Sequence, residues 1–266
     1  MNKWIFIVSL FLMVGCKQEQ TNDLLQSHDV RLVKPRVTAT NQIIDSSVIV
    51  SAELRMEAVK MYMTSDGSEP SENSKLYVQP LQITEPGIYK FKAFHSEWQE
   101  SETEIITLIK KGKSVDSIIW LSEANSKYSG RGIKTLVNNT KARVNYMDPE
   151  WVGFDTIAKA ITVFKEKTFI KTLDIGYLNN TGAWIFPPEQ IQVFVSYDGV
   201  GFVAKEKLNL NPLAQGTDQR VETIQLLINE AVKAIRIEVK NVAEIPEWHE
   251  GNAKTAWLFM DEWIFN

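Results

Sequence analysis

Four stretches of this chain alternate apolar and polar residues with a period of two: Ala58–Thr64, Ile88–Phe94, Gln190–Ser196 and Ala234–Lys240. Side chains of an extended chain point to opposite faces in turn, so such a stretch buries one face and wets the other. Val48–Ala52, Glu104–Ile109, Lys171–Tyr177 and Trp257–Phe265 are also strand-like. Ser65-Asp66-Gly67, Glu85-Pro86-Gly87 and Tyr197-Asp198-Gly199 supply turn residues. Glu222–Ala234 has an apolar content that would suit a helix, but Thr223–Ile228 fits a sheet-rich context better and reads as strand plus turn. The pattern predicts an all-β chain. A charged, glycine-containing break at Lys110–Ser114 divides it. Residues 30–113 have the texture of a small immunoglobulin- or fibronectin-III-like β-sandwich, and residues 114–266 that of a jelly-roll β-sandwich. Neither half resembles the other.

The single cysteine, Cys16, ends a different kind of segment. Lys3 gives a positive start, and an apolar run from Trp4 to Val14 follows, interrupted by Ser9. The run is too short to span a bilayer as a helix, and it has the build of a signal peptide. Leu12-Met13-Val14-Gly15-Cys16 resembles a lipobox, which implies cleavage after residues 1–15 and a lipid on Cys16. A signal peptide with an incidental cysteine, or a buried N-terminal helix, is the competing reading. Residues 16–29 are polar and aperiodic and read as a tether. The expectation is a lipid-anchored protein of the bacterial cell envelope, at the outer membrane. With one thiol in the chain, no internal disulfide can form. The formal net charge is −4 and the lysines are scattered, so nothing suggests a nucleic-acid partner.

Two resemblances follow from particular motifs. Tyr62–Pro70, with Ser74–Tyr77, Pro80–Ile83 and Tyr89–Phe94, resembles the chitobiase/β-hexosaminidase C-terminal-domain family, which implies a small non-catalytic sandwich that accompanies glycan-active modules. Thr135–Asn139, Trp151–Phe154, Leu173–Gly176, Ile185–Pro188, Val195–Gly199, Ile245–His249 and Ala256–Glu262 appear in the order of a coagulation-factor-type C, discoidin-like, galactose-binding-like module. That resemblance implies a carbohydrate-binding sandwich, and a structural Ca²⁺ held by positions matching Asn138, Thr140 and Glu262. Two departures weaken the calcium expectation: the usual loop Asp is Asn138 and the usual Gly is Asn139. The rival is that Glu262 hydrogen-bonds within the loop with no ion.

Catalysis is not expected. β-Hexosaminidases of the resembled family use a separate barrel, for which this chain has no room. Asp148 with Glu150, and Asp261 with Glu262, are the close carboxylate pairs. Neighbours on one strand should face opposite ways, which does not suit a glycosidase pair. The three histidines, His28, His95 and His249, make no zinc pattern. Sugar binding needs an aromatic platform with a few fixed polar groups. The candidates are Trp248 and His249 with Glu247, Trp151 with Asp148 and Arg143, and Trp184 at the end of a polar loop. Each tryptophan could equally plug the end of the core. The expected ligand is a galactose- or N-acetylhexosamine-type glycan, and the alternative is a structural or protein-interaction lipoprotein with no glycan ligand.

Overall fold

The computed structural model describes residues 30–266, apart from 212, 217 and 218. The signal peptide, the lipid site at Cys16 and the tether lie outside the described residues. Within them the chain is all-β, with only single 3₁₀ turns at Ser126–Tyr128, Thr135–Val137 and Thr181–Ala183.

The first eight strands form two facing sheets. β1 (Arg36–Ala39), β3 (Val48–Glu53) and β6 (Leu81–Ile83) make a three-stranded sheet. The other sheet has the order β2 (Ile43–Ile44), β8 (Glu104–Lys110), β7 (Gly87–Phe94), β4 (Lys60–Thr64), β5 (Lys75–Tyr77). The alternation seen in the sequence puts Val48, Val50 and Ala52 from one layer against Met63, Tyr89, Phe91, Ile106 and Leu108 from the other. The Asp66-Gly67 pair makes the tight turn expected of it. Gly67 has φ +79°, and Asp66 Oδ1 accepts from the Ser68 N–H at 3.0 Å.

The second sandwich is built on two long strands. β11 (Ala158–Asn179) and β14 (Arg220–Lys240) pair antiparallel over almost their full length. The first half of β11 also pairs with β9 (Ser117–Trp120), and its second half with β15 (Leu258–Phe265), which in turn carries β10 (Val152–Phe154). The second half of β14 pairs with β12 (Gln190–Ser196), which carries β13 (Val203–Asn209). The register breaks between Val163 and Thr168, where the double ladder turns from one layer into the other. Both halves therefore feed one core: Ala160, Phe164, Leu173, Ile175, Ile228 and Ile237 share it. At the break, Lys233 Nζ donates to the carbonyls of Phe164 and Lys165, each at 2.7 Å, which satisfies acceptors the ladder leaves open. Residues 222–234 are one continuous strand. The expected turn is a second register shift, with Asn229 at φ +50°, a conformation asparagine tolerates.

β8 ends at Lys110 and β9 begins at Ser117, and among the described residues no strand before that interval pairs with one after it. The linker nevertheless packs closely. A Cβ on Gly112 would lie 2.6 Å from the Phe265 carbonyl, and the Lys113 N–H donates to that carbonyl.

The shared core predicts that Ile237→Ala, at a position 0% exposed, destabilises the protein by about 2–5 kcal/mol in urea denaturation. Ile105→Ala, at a site 53% exposed, should change stability by less than about 0.5 kcal/mol.

Candidate functional site

Two loop clusters stand beside the core of the second sandwich, and the segment Ala183–Phe186 links them. Ala183 and Ile185 go to one cluster with Ala142, Trp151, Leu178 and Phe259. Trp184 and Phe186 go to the other with Val242, Ile245, Trp248 and Ala256.

In the second cluster His249 is the hub. Its Nδ1 accepts from the Gly251 N–H at 3.0 Å, so the ring proton is on Nε2, which donates to the Thr181 carbonyl at 3.0 Å. The ring lies edge-on to Trp184, Trp248 and Phe186, with centroids 6.1, 5.5 and 5.5 Å away. Trp184 takes a left-handed backbone conformation, φ +62°. Its indole meets Gly251, where a Cβ would come within 3.1 Å, and the Lys254 ammonium stands 5.2 Å from its ring. Trp248 is half-buried beside Phe186, and Glu247 is exposed beside it. A groove of about 510 Å³ opens next to this cluster, with Phe186, Pro187, Leu210, Leu213, Val242 and Pro246 as walls and Glu189 and Glu244 among its polar groups.

The first cluster differs from expectation. Trp151 is 2% exposed, and its Nε1 donates to the Arg143 carbonyl at 2.8 Å. It plugs the core and cannot stack on a sugar. Its apolar neighbours explain the burial, since the strand-like run that follows it carries it inward. Asp148 accepts from the N–H groups of Glu150 and Arg143 and shapes the turn that delivers Trp151. The Arg143 side chain is exposed, 3.8 Å from Asp148. His249, expected to read sugar hydroxyls, has both ring nitrogens engaged and instead fixes the loop. Of the expected aromatics, Trp184 and Trp248 are both half-buried; Trp184 already donates to Glu250 at 3.4 Å and carries Lys254 over its ring, which leaves Trp248 as the candidate platform.

Sequence reasoning missed Phe186, Glu250 and Lys254 as parts of this site, because they gather around Trp184 and His249 only after folding. It also missed Trp120, which stacks on Phe154 at 5.4 Å, donates from Nε1 to the Ile133 carbonyl at 2.8 Å, and borders a second, open cavity of about 570 Å³.

The residues expected to hold calcium form a third arrangement. β15 bulges opposite β11: Ile175 pairs with Trp263 and Tyr177 with Met260, so Asp261 and Glu262 together oppose Gly176. The bulge breaks the alternation, and both carboxylates serve the same loop, contrary to the expectation of opposite faces. Glu262 Oε2 accepts from the Asn138 N–H at 3.2 Å and Oε1 from the Asn139 N–H at 3.0 Å. Asp261 accepts from Lys141 Nζ at 2.7 Å and from the Ala142 N–H at 3.1 Å. Asn138 Oδ1 accepts from the Thr140 N–H at 2.8 Å, and Asn138 Nδ2 donates to Glu150 at 2.7 Å. Burial pushes the Glu262 carboxyl up to about 8, and the charge of Asp261 adds to this, while backbone hydrogen bonds and Lys141 oppose it. Calcium takes six to eight oxygen ligands. Here both oxygens of the Glu262 carboxyl face N–H hydrogens, and the Asn138 amide oxygen is turned to the Thr140 N–H. The donor set does not fit Ca²⁺.

Residues 40–107 match the chitobiase/beta-hexosaminidase C-terminal domain family. A search of curated proteins found no match. Among solved structures the chain is similar to a SusE-like protein at 12% identity and a TM-score of 0.37, over 86% of this chain and 95% of that one. It is similar to the C-terminal domain of a chitobiase from Bacteroides fragilis at 12% identity and a TM-score of 0.36, over 58% of this chain and 96% of that one. It is also similar to CpGH89CBM32-4, produced by Clostridium perfringens and solved in complex with glcNAc-alpha-1,4-galactose. That match has 10% identity and a TM-score of 0.36, over 57% of this chain and 90% of the other.

The two tryptophans should separate by stability. Trp151→Ala should cost about 3–5 kcal/mol in chemical denaturation, whereas Trp248→Ala should cost less than about 1.5 kcal/mol and leave the fold intact.

Proposed function

We propose that this is a non-catalytic protein of the bacterial cell envelope, anchored by a lipid on Cys16, whose C-terminal sandwich binds carbohydrate. The observation that carries the reading is Trp248, half-buried on a loop that His249 fixes and packed on Phe186, which walls an open groove with Glu189 and Glu244 among its lining. A pyranose has an apolar C–H face and a rim of hydroxyls. A held indole covers the face at little ordering cost, and the exposed carboxylate of Glu247, next to it in the chain, is available to the rim, while Glu250 and Lys254 stand at the neighbouring Trp184. A galactose- or N-acetylhexosamine-type sugar is the ligand class; the apolar wall of the groove suits an acetamido methyl. The module is discoidin-like in this reading, and the N-terminal sandwich acts as a spacer between lipid and ligand.

The carboxylates that could have been catalytic support a binding role by their commitments. Asp261 is paired with Lys141, Glu262 with backbone N–H groups, Glu150 with Arg131 and Asn138, and Asp148 with its own turn. None is poised across a cleft from another, as bond cleavage in a glycoside requires.

Glycan-array screening followed by calorimetry tests the site. A single-sugar site should show a dissociation constant between about 1 mM and about 0.1 mM, or roughly 4–6 kcal/mol. Trp248→Ala should remove about 1–3 kcal/mol of that, enough to lose the signal, while melting normally. Full-strength binding by folded Trp248→Ala would contradict the assignment. The anchor is tested separately by cell fractionation. The native chain should sediment with membranes and Cys16→Ser should not, because a diacylglyceryl group supplies the two chains that stable anchoring needs.

A further inference from the structure

The loop 138–142 meets β15 through charges the chain supplies itself. Lys141 is 8% exposed along its side chain and Asp261 is 0% exposed, and their ion pair is 2.7 Å long. An ammonium that deep is stable only when paired and hydrogen-bonded. Asp261 is well satisfied: besides Lys141 it accepts from the N–H of Ala142 and from the N–H of Glu262 at 2.7 Å. The room for this pair comes from Gly176. A Cβ there would overlap both Asp261 Oδ1 and Lys141 Nζ. Gly176 has an ordinary negative φ, so its small size, and not backbone freedom, is what the position requires.

The same loop reaches the other sandwich. Asn41, just ahead of β2, donates from Nδ2 to the Asn139 carbonyl at 2.9 Å, and its Oδ1 accepts from the Ile43 N–H at 3.1 Å. Asn139 stands at φ +62°, which turns its N–H toward Glu262 and leaves its carbonyl for Asn41. The loop is thus tied on one side to the last strand of the second sandwich and on the other to the first sandwich.

We infer that loop 138–142 is a metal-free lock, in which the Lys141 ammonium supplies the positive charge that balances the Asp261–Glu262 bulge and Gly176 provides the space for it. In this account a divalent cation has no role in the loop. The backbone N–H groups of Asn138 and Asn139 already satisfy Glu262, the Asn139 carbonyl accepts from Asn41, and the Asn138 amide oxygen accepts from Thr140.

Thermal melting of the full chain in about 5 mM CaCl₂ and in excess EDTA tests this. A calcium site of about 0.1 mM affinity would raise Tm by roughly 5 °C or more under these conditions. The lock predicts the same Tm in both, within about 1 °C. Lys141→Met and Gly176→Ala should each lower Tm by about 6 °C or more, because each leaves a buried charge unpaired or displaced. If Lys141→Met fails to fold, Lys141→Met with Asp261→Asn removes both charges, and the lock expects this double variant to fold with a cooperative melt. Calcium-dependent stabilisation of the native chain, or a Lys141→Met variant that melts like the native chain, would overturn the inference.

Discussion

The bulge at Asp261–Glu262 is the constraint on which the second sandwich turns. Opposing two residues to Gly176 sends both carboxylates into one loop, where alternation alone would have divided them between core and solvent. Two acidic side chains in the interior are costly. They are held by Lys141, by the N–H groups of Asn138, Asn139 and Ala142, and by the space that glycine leaves. Removing Lys141, or filling the space at Gly176, leaves the Asp261 charge unpaired or displaced. Because Asn138 also bonds to Glu150, which pairs with Arg131, the lock extends to the residue directly before Trp151.

The second structural device is the long ladder of β11 and β14. A closed jelly roll needs its strands to pass between layers, and here two strands do so together across a register break. The same pair carries β9, β12 and β15, so the outer strands are positioned by the bend. Loops that end at β11, β12 and β14 then gather on the Ala183–Phe186 segment. The candidate sugar platform is therefore set by the geometry of the ladder, although Trp248 itself lies on a loop.

How far the sequence could be read follows from which signals are local. Gln190–Ser196 was recognised to its ends because its alternation is unbroken and a Tyr-Asp-Gly turn stops it. The first half of β11 was missed, although Ala158, Ala160 and Thr162 are buried. Three of its four buried residues, Ala158, Ala160 and Thr162, are small, and its partners β9 and β14 lie about 40 and more than 70 residues away. The bend in β14 was taken for a turn, since a bulge and a turn share the same local break in pattern. At the site, Trp248 was legible from its loop setting, but Trp151 was not distinguished from it. Both follow proline by two residues next to a carboxylate, and only packing separates the buried one. Motif order left calcium and an ion-free, hydrogen-bonded Glu262 both open. The lysine that answers the acidic pair lies about 120 residues from it, and no short motif marks that contact.

The central claim is that a held, half-buried Trp248 receives sugar while the buried indoles Trp151 and Trp263 serve the fold. Two-dimensional ¹H–¹⁵N spectra report each indole N–H separately. Titration with N-acetylgalactosamine or galactose should move the Trp248 indole resonance, with smaller changes at Trp184, and leave those of Trp151 and Trp263 in place. Saturating sugar that moves no indole, or that moves Trp120 while Trp248 stays fixed, would contradict the account.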